Sequence, residues 1–198
     1  IPSMRFAVSA LALALFLGAQ TAPYDLIIRN GRIVDGTGNA WYRADLAIRG
    51  DTVARIAPSI SDTAIRTIDA AGQVVAPGFI DIHTHARRGI FEVPTADNYI
   101  RQGVTTVMEG PDGDSPVPLA PYLAKPEALP KSINIGMFIG QGSVRSAVIG
   151  NVNRRPANDE LEKMKSLVEQ GMKDGAFGLS SGLFYVPGTF SSTEEVIE

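Results

Sequence analysis

The chain has 198 residues, of which 44% are hydrophobic and 20% charged, a composition typical of a folded globular protein. Its formal net charge is −3 at pH 7, and this lack of excess positive charge argues against nucleic acid as a partner. The sequence contains no cysteine, which excludes disulfides, thiolate zinc sites and cysteine nucleophiles.

Residues 1–22 have the features of an export signal peptide. Met4 and Arg5 give a short positive start, residues 7–17 form an apolar run with no charge, and residues 17–19 offer a cleavage site with the small residues Gly18 and Ala19. The apolar run is too short to span a bilayer comfortably, so we expect no membrane contact after cleavage. A buried N-terminal helix is the alternative. The signal predicts a periplasmic or secreted protein.

Residues 23–75 predict a small β domain. Short apolar runs alternate with turn signals, among which Asn30-Gly31 predicts a hairpin and Gly50-Asp51 another turn. We expect a compact antiparallel unit of about fifty residues. Because a unit of this size is only marginally stable alone, we expect it to pack against a larger domain.

Residues 76–198 alternate between strand and helix signals. Residues 73–82 are almost all apolar and predict a strand buried on both faces. Another strand is predicted at residues 104–108, and residues 159–172 have apolar side chains at helical spacing. Strands that alternate with helices predict βαβ units and a parallel sheet.

The C-terminal sequence predicts a helix that has barely begun. Residues 192–195 form a capping-box signature, and only three residues follow it. We therefore expect the chain to be truncated relative to its natural fold. A naturally frayed C-terminus is the alternative.

His83 and His85, the only histidines in the sequence, give the strongest chemical signal. Side chains repeat every second residue in a strand, so both imidazoles point to one side, with α-carbons roughly 6–7 Å apart. The apolar run delivers them to the C-terminal end of a strand, where α/β enzymes place their active sites. This pattern predicts half of a metal site. Asp81 shares their parity and is expected either to orient a ligand imidazole or to cap a loop.

Three segments carry a resemblance to the amidohydrolase superfamily, and within it to the D-aminoacylases (N-acyl-D-amino-acid deacylases). Residues 24–36 resemble the opening β segment, residues 77–85 the first barrel strand, and residues 175–188 a segment particular to the D-aminoacylase branch. The resemblance implies a TIM barrel with a small β-sandwich. Residues 23–75 would be the N-terminal part of the sandwich, and residues 76–198 the first βα units of a truncated barrel.

The resemblance also implies the chemistry. It points to metal-dependent hydrolysis of a linear amide, with N-acyl-D-amino acids as small-molecule substrates, a metal-bound hydroxide as attacking group, and one or two Zn²⁺ ions. Two further histidines and a general-base aspartate are expected beyond residue 198, so the chain alone is expected to be inactive. The alternatives are another amidohydrolase activity (on cyclic amides or dipeptides, or deamination) and a non-catalytic periplasmic binding module of the same fold.

Asp112 and Glu109 are the alternative candidates for the next metal ligand. D-aminoacylases resemble this chain here but have a cysteine where Asp112 stands, and Glu109 lies three residues earlier. A carboxylate can bind zinc directly. A Pro-Asp-Gly turn in which Asp112 only shapes the backbone is the remaining interpretation.

Three further residues are substrate-binding candidates by the same resemblance. Gln141 stands where similar enzymes tend to have a histidine, and its amide can donate to a substrate carbonyl. Arg145 is expected to bind a substrate carboxylate, or else to form a surface salt bridge. Tyr185 resembles a tyrosine near the substrate in related enzymes, with a buried core tyrosine as the alternative. A nucleophile at residues 180–181 is rejected, because no further histidine is present to activate it.

Overall fold

The computed structural model describes residues 23–128 and 130–198. The described chain forms two compact units, one ending at Pro77 and the other running from Gly78 to Glu198. The export signal predicted for residues 1–22 lies outside the described residues. Within the described ranges, no helix has the length and apolar character needed to cross a membrane.

The first unit is a single mixed sheet of five strands. They are β1 Tyr24–Ile33, β2 Tyr42–Arg49, β3 Thr52–Ala57, β4 Ala64–Asp69 and β5 Val74–Val75. The order is β3-β2-β1-β4, and β5 also pairs with β1. Neighbours β1, β2 and β3 are antiparallel, but β4 and β5 run parallel to β1. The prediction of a wholly antiparallel unit is therefore wrong, because the chain crosses to the far side of β1 before β4 begins. The sandwich stays a prediction.

Asn30 and Gly31 lie inside β1 instead of forming the predicted hairpin turn. Asn30 has a φ of 58°, and the register of β1 against β2 shifts between Ile28 and Gly31, so the pair forms a β-bulge. The Asn30 N–H donates to Asp45 Oδ1 at 2.9 Å. A Cβ at Gly31 would lie 2.8 Å from Val75 Cγ2, so a larger side chain would disturb the pairing with β5.

The second unit is an α/β structure with two parallel sheets. β6 Phe79–Asp81, β7 Val104–Glu109 and β8 Asn134–Met137 pair in that order, and β9 Ile139–Gly140 pairs with β10 Leu179–Ser180. The helices are α1 Asp97–Ile100, α2 Ala120–Ala128, α3 Gln141–Ile149, α4 Asn158–Lys173 and α5 Thr193–Ile197, with 3₁₀ turns at Pro111–Gly113 and Gly188–Phe190. The predicted parallel pairing and the α4 helix are confirmed, whereas closure into a barrel stays a prediction.

The apolar run at residues 73–82 does not form the single buried strand that was predicted. Its first part forms β5 in the first unit, and its last part forms β6 in the second. Pro77 lies between them and has no N–H to donate to a ladder. Phe79, Ile80 and Ile82 are largely exposed within the described chain.

Two apolar clusters form the core of the second unit and support the ends of its strands. One joins the β8–β9 region to α3 and α4, and the other packs beneath β7. The first contains Leu119, Met137, Ile139, Val144, Met164 and Ala176, and the second contains Ile90, Ala96, Val107 and Ile133. The second cluster contains both Ile90, from the segment that follows β6, and Val107 of β7, so that segment packs against β7.

Candidate metal centre

His83 and His85 lie in the loop that follows β6, close to the C-terminal end of the strand. Because β6 ends at Asp81, the two-residue repeat of a strand does not by itself set the directions of the imidazoles. Their ring centroids are 5.7 Å apart. Asp81 Oδ1 accepts a hydrogen bond from the His83 N–H at 3.1 Å, so Asp81 caps this loop, the second of its two predicted roles.

Asp112 reaches both histidines from the segment that follows β7. Its Oδ2 lies 3.3 Å from His83 Nε2 and 3.6 Å from His85 Nε2. One donor atom from each of the three residues lies within 4.8 Å of the others. Ligands placed tetrahedrally about a zinc ion at protein bond lengths are roughly 3.4 Å apart. These three residues, called the metal cluster below, therefore fit one zinc ion.

The 3₁₀ turn that carries Asp112 is held by a neighbouring strand. Asp112 has a φ of 58°, a left-handed conformation that Asp adopts more readily than most residues. Ser180 Oγ donates to the Gly110 carbonyl at 2.5 Å and accepts from the Gly113 N–H at 3.1 Å. A Cβ at Gly182 would collide with the Asp112 carbonyl. Sequence reasoning treated Ser180 only as a rejected nucleophile and missed this contact.

Glu109, the other candidate ligand, is not part of the metal cluster. It is the last residue of β7 and only 1% exposed. Its Oε1 accepts from the Ala86 N–H at 2.6 Å and from the Thr84 hydroxyl. Among the described residues, the group with metal-ligand spacing consists of the two histidines and Asp112. The structure thus brings Asp112 to the histidines, whereas Glu109 is buried and hydrogen-bonded to the residues on either side of His85.

An open pocket of about 650 Å³ lies beside the metal cluster, a size typical of small-molecule sites. Arg87 Nη2 lies 2.5 Å from Asp114 Oδ2, whereas Arg88 forms no ion pair with any residue the structure describes. Tyr185 is half-exposed in the wall and is therefore not a core tyrosine. The wall also contains His85, Glu109 and Asp112. Sequence reasoning missed Arg87 and Arg88, although both follow His85 closely.

Gln141 and Arg145 do not line this pocket. The Arg145 side chain is 0% exposed, and its Nη1 lies 2.5 Å from Glu195 Oε2. Gln141 Nε2 donates to Ser191 Oγ at 2.8 Å and to Glu195 Oε1 at 3.3 Å. The structure disagrees with a substrate carboxylate on Arg145, because Glu195 already pairs with its guanidinium. The alternative salt bridge forms, but inside the unit and not at its surface. Arg145, Glu195 and Gln141 are called the buried cluster below.

Two tyrosines near Glu109 have raised pKa values. Burial, followed by the charge of Glu109, raises the pKa of Tyr122 to about 12. Burial also raises the pKa of Tyr99, with smaller contributions from Glu109 and Asp81. Neither phenol can therefore act as a general base at neutral pH.

The relatives found by sequence comparison include three N-acyl-D-amino-acid deacylases, together with a dihydroorotase that matches only 34% of this chain and an adenine deaminase that is 28% identical. No protein-family model matches the chain. A D-aminoacylase from Alcaligenes xylosoxydans xylosoxydans is 36% identical over 204 residues, which cover 91% of this chain and 42% of the relative. The chain spans about two fifths of the length of the curated relatives it matches.

Solved structures agree with the sequence matches. The crystal structure of a D-aminoacylase that defines a subset of amidohydrolases matches with a TM-score of 0.80 and 34% identity, over 88% of this chain and 42% of that one. An N-acyl-D-glutamate deacylase from Bordetella bronchiseptica, solved with zinc and a phosphonate mimic of the tetrahedral intermediate, matches with a TM-score of 0.82 and 31% identity, over 87% of this chain and 41% of that one. Over the part of those enzymes that it spans, the chain is therefore homologous to D-aminoacylases and other N-acyl-D-amino-acid deacylases of the amidohydrolase superfamily.

Proposed function

We propose that this chain carries a metal-binding part of a hydrolase that removes the acyl group from N-acyl-D-amino acids. The observation that carries the proposal is the metal cluster, whose three donor atoms have the spacing of zinc ligands and adjoin a pocket of small-molecule size. Kinship with D-aminoacylases supports a linear amide as the bond that is cleaved.

The roles of the residues follow from their positions. His83, His85 and Asp112 would hold the ion, and when bound it would supply the Lewis acidity that activates water and polarises an amide carbonyl. Asp81 fixes the start of the histidine loop through its hydrogen bond to the His83 N–H. Ser180 fixes the turn that carries Asp112. The chain thus presents the three ligands from two anchored segments.

Arg88 is the proposed partner of the substrate carboxylate. An N-acyl amino acid carries a free carboxylate next to the amide bond, and a guanidinium binds such a group through two parallel hydrogen bonds. Arg88 lines the pocket that also contains His85 and has no ion-pair partner among the described residues. Arg87 is paired with Asp114 and Arg145 with Glu195, which leaves Arg88 as the better candidate.

The test is a zinc titration combined with an acyl-release assay on the full-length protein. We expect release from N-acyl-D-amino acids, and little from the L enantiomers, hydantoins or dipeptides. His83→Ala removes one of three ligands and is expected to weaken zinc binding by more than about 100-fold and to abolish hydrolysis. Asp97→Asn, an exposed aspartate of α1, is the matched control and should preserve both.

Two results would contradict the proposal. Full hydrolysis by the His83→Ala variant would remove the metal cluster from the mechanism. Bound zinc in the wild type, with no hydrolysis of any amide tested, would support a metal-binding module in place of an enzyme.

A further inference from the structure

We propose that Glu109 is a positioning residue that holds His85 in its metal-binding place without binding the ion itself; this inference rests on the proposed metal site. Glu109 Oε1 accepts from the Ala86 N–H at 2.6 Å and from the Thr84 hydroxyl. These two donors belong to the residues on either side of His85. The Glu109 carboxylate therefore holds the loop that follows β6, called the histidine loop, through hydrogen bonds on both sides of His85.

Contacts between Thr84 and the backbone of β7 also hold the histidine loop in place. The Thr84 N–H donates to the Met108 carbonyl at 3.2 Å, and the Thr84 hydroxyl lies 3.1 Å from the same oxygen. The loop after β6 is thus tied to the last two residues of β7. Asp112 follows Glu109 by only three residues, so the same strand end fixes the histidine loop and leads to the third ligand.

Burial makes Glu109 suited to this role. The residue is 1% exposed, and burial of a carboxylate is costly unless hydrogen bonds replace its water. In the described part of the chain, the groups that donate to this carboxylate both belong to the histidine loop. The imidazoles of His83 and His85 are 59% and 73% exposed, so side-chain packing does little to fix them. The position of His85 therefore depends on the backbone that Glu109 holds, whereas Asp81 holds the backbone of His83.

The test measures zinc affinity by chelator competition in the full-length protein, together with the visible absorption of the Co²⁺-substituted form. Glu109→Ala is expected to weaken zinc binding by about 10- to 100-fold, the usual effect of losing a group that orients a ligand. Its Co²⁺ absorption should change as well, because His85 is no longer held in one geometry.

Glu109→Gln separates positioning from direct ligation. Both hydrogen bonds end at Oε1, so a glutamine oxygen can accept them while the amide nitrogen replaces Oε2. We expect zinc affinity within about threefold of wild type and an unchanged Co²⁺ spectrum. A loss as large as that of Glu109→Ala would make Glu109 a ligand and overturn the inference.

Val107→Ala is the matched stability control. Val107 is fully buried on the same strand and packs in the apolar cluster beneath β7. We expect a lower melting temperature with unchanged zinc affinity. If Glu109→Ala does not fold, Thr84→Val, which has the same shape without the hydroxyl, is expected to weaken zinc binding by about three- to tenfold. Wild-type affinity in that variant would overturn the inference.

The remaining outcomes distinguish this inference from the proposed function. If His83→Ala loses zinc while Glu109→Ala retains wild-type affinity, the role of Glu109 is overturned and the metal site stands. If the wild type binds no zinc, both are overturned. If Val107→Ala loses as much affinity as Glu109→Ala, the effect reflects general stability and the positioning role is again overturned.

Discussion

The metal cluster and the buried cluster use similar side chains in opposite settings. In the metal cluster, the side chains of His83 and His85 are 59% and 73% exposed, and Asp112 is 31% exposed. In the buried cluster, the side chains of Arg145 and Glu195 are 0% and 2% exposed and bind each other. The first presents donor atoms that converge on one point, whereas the second commits its charges to neighbours within the unit. A charged residue is therefore a better candidate for binding when its polar atoms are exposed and converge with those of its neighbours than when a buried partner already binds them.

The buried cluster links helices that are far apart in sequence. Glu195 belongs to α5, and Arg145 and Gln141 belong to α3. Arg145 Nη2 also donates to the Arg154 carbonyl at 2.7 Å. The segment between these helices contains Tyr185, which lines the pocket. The buried cluster thus stabilises the segments around the pocket, although none of its three residues lines the pocket.

The largest expected effect on stability comes from Glu195→Ala, which tests whether the two clusters are independent. Removal of one partner from a buried ion pair leaves the Arg145 charge uncompensated, at a cost of about 3–5 kcal/mol in the free energy of unfolding. Zinc affinity should stay within about twofold of wild type, because Glu195 does not contact the metal cluster. Denaturant unfolding and chelator competition measure the two quantities.

A double variant is the control for this prediction. Arg145→Met combined with Glu195→Leu removes both charges, so it should be more stable than Glu195→Ala alone. It should remain below wild type, since Arg145 also donates to the carbonyls of Val152 and Arg154. Zinc affinity that falls in parallel with stability across these variants would show that the clusters are coupled.

The metal cluster was the part of the site that could best be predicted from the sequence. Two histidines spaced by one residue at the end of an apolar strand predict convergence, and the resemblance to D-aminoacylases offered Asp112 or Glu109 as the next ligand. The structure brings these three side chains together, although the histidines lie just beyond β6 and not within it. The spacing of the two histidines can be predicted from the sequence because both residues lie in one short segment.

The roles of Arg145 and Asn30 were less predictable, because distant partners set them. Arg145 pairs with a glutamate fifty residues away, Glu195, and no local pattern indicates that pairing. Asn30-Gly31 has the sequence of a hairpin turn, but Asp45 binds the Asn30 N–H and β5 packs on Gly31. In both cases a tertiary contact overrides the local preference.

Arg88→Ala tests whether an arginine without an ion-pair partner among the described residues binds substrate, and its expected effect is smaller than that of Glu195→Ala. If the unpaired guanidinium binds the substrate carboxylate, its loss should raise KM for N-acyl-D-amino acids by about tenfold, with kcat nearly unchanged. Steady-state kinetics on the full-length protein measures both constants. The same variant should leave KM unchanged for an N-acyl amino amide, which lacks the carboxylate.

Arg101→Ala is the matched control for this prediction. Arg101 is an exposed arginine beside α1 with only a 4.0 Å ion pair to Asp97, and its loss should not alter KM. A tenfold rise in KM for the amide substrate as well as the acid would contradict a carboxylate contact and leave Arg88 with a general role in shaping the pocket.

The smallest expected effect on stability comes from the ion pair of Arg154 and Glu160, which lies at the surface and not in either cluster. The side chains meet through two contacts of 2.6 and 2.7 Å, and Glu160 Oε2 also accepts from the Ala157 N–H at 2.8 Å. The bond from Arg154, followed by that from Ala157, lowers the pKa of Glu160 from 4.5 to about 2. Because the folded-state pKa is the lower one, the stabilisation is present above about pH 4.5 and disappears as the pH falls towards 2.

Glu160→Gln tests this contribution, since a glutamine keeps the hydrogen bond to the Ala157 N–H but loses the charge. At pH 7 the variant should melt slightly below wild type, and less so at high salt, because water and ions screen an exposed pair. Melting curves between about pH 7 and pH 2 should converge as the glutamate is protonated. A difference that persists at pH 2 would assign the effect to packing instead of charge, and a difference as large as that of Glu195→Ala would remove the distinction between exposed and buried pairs.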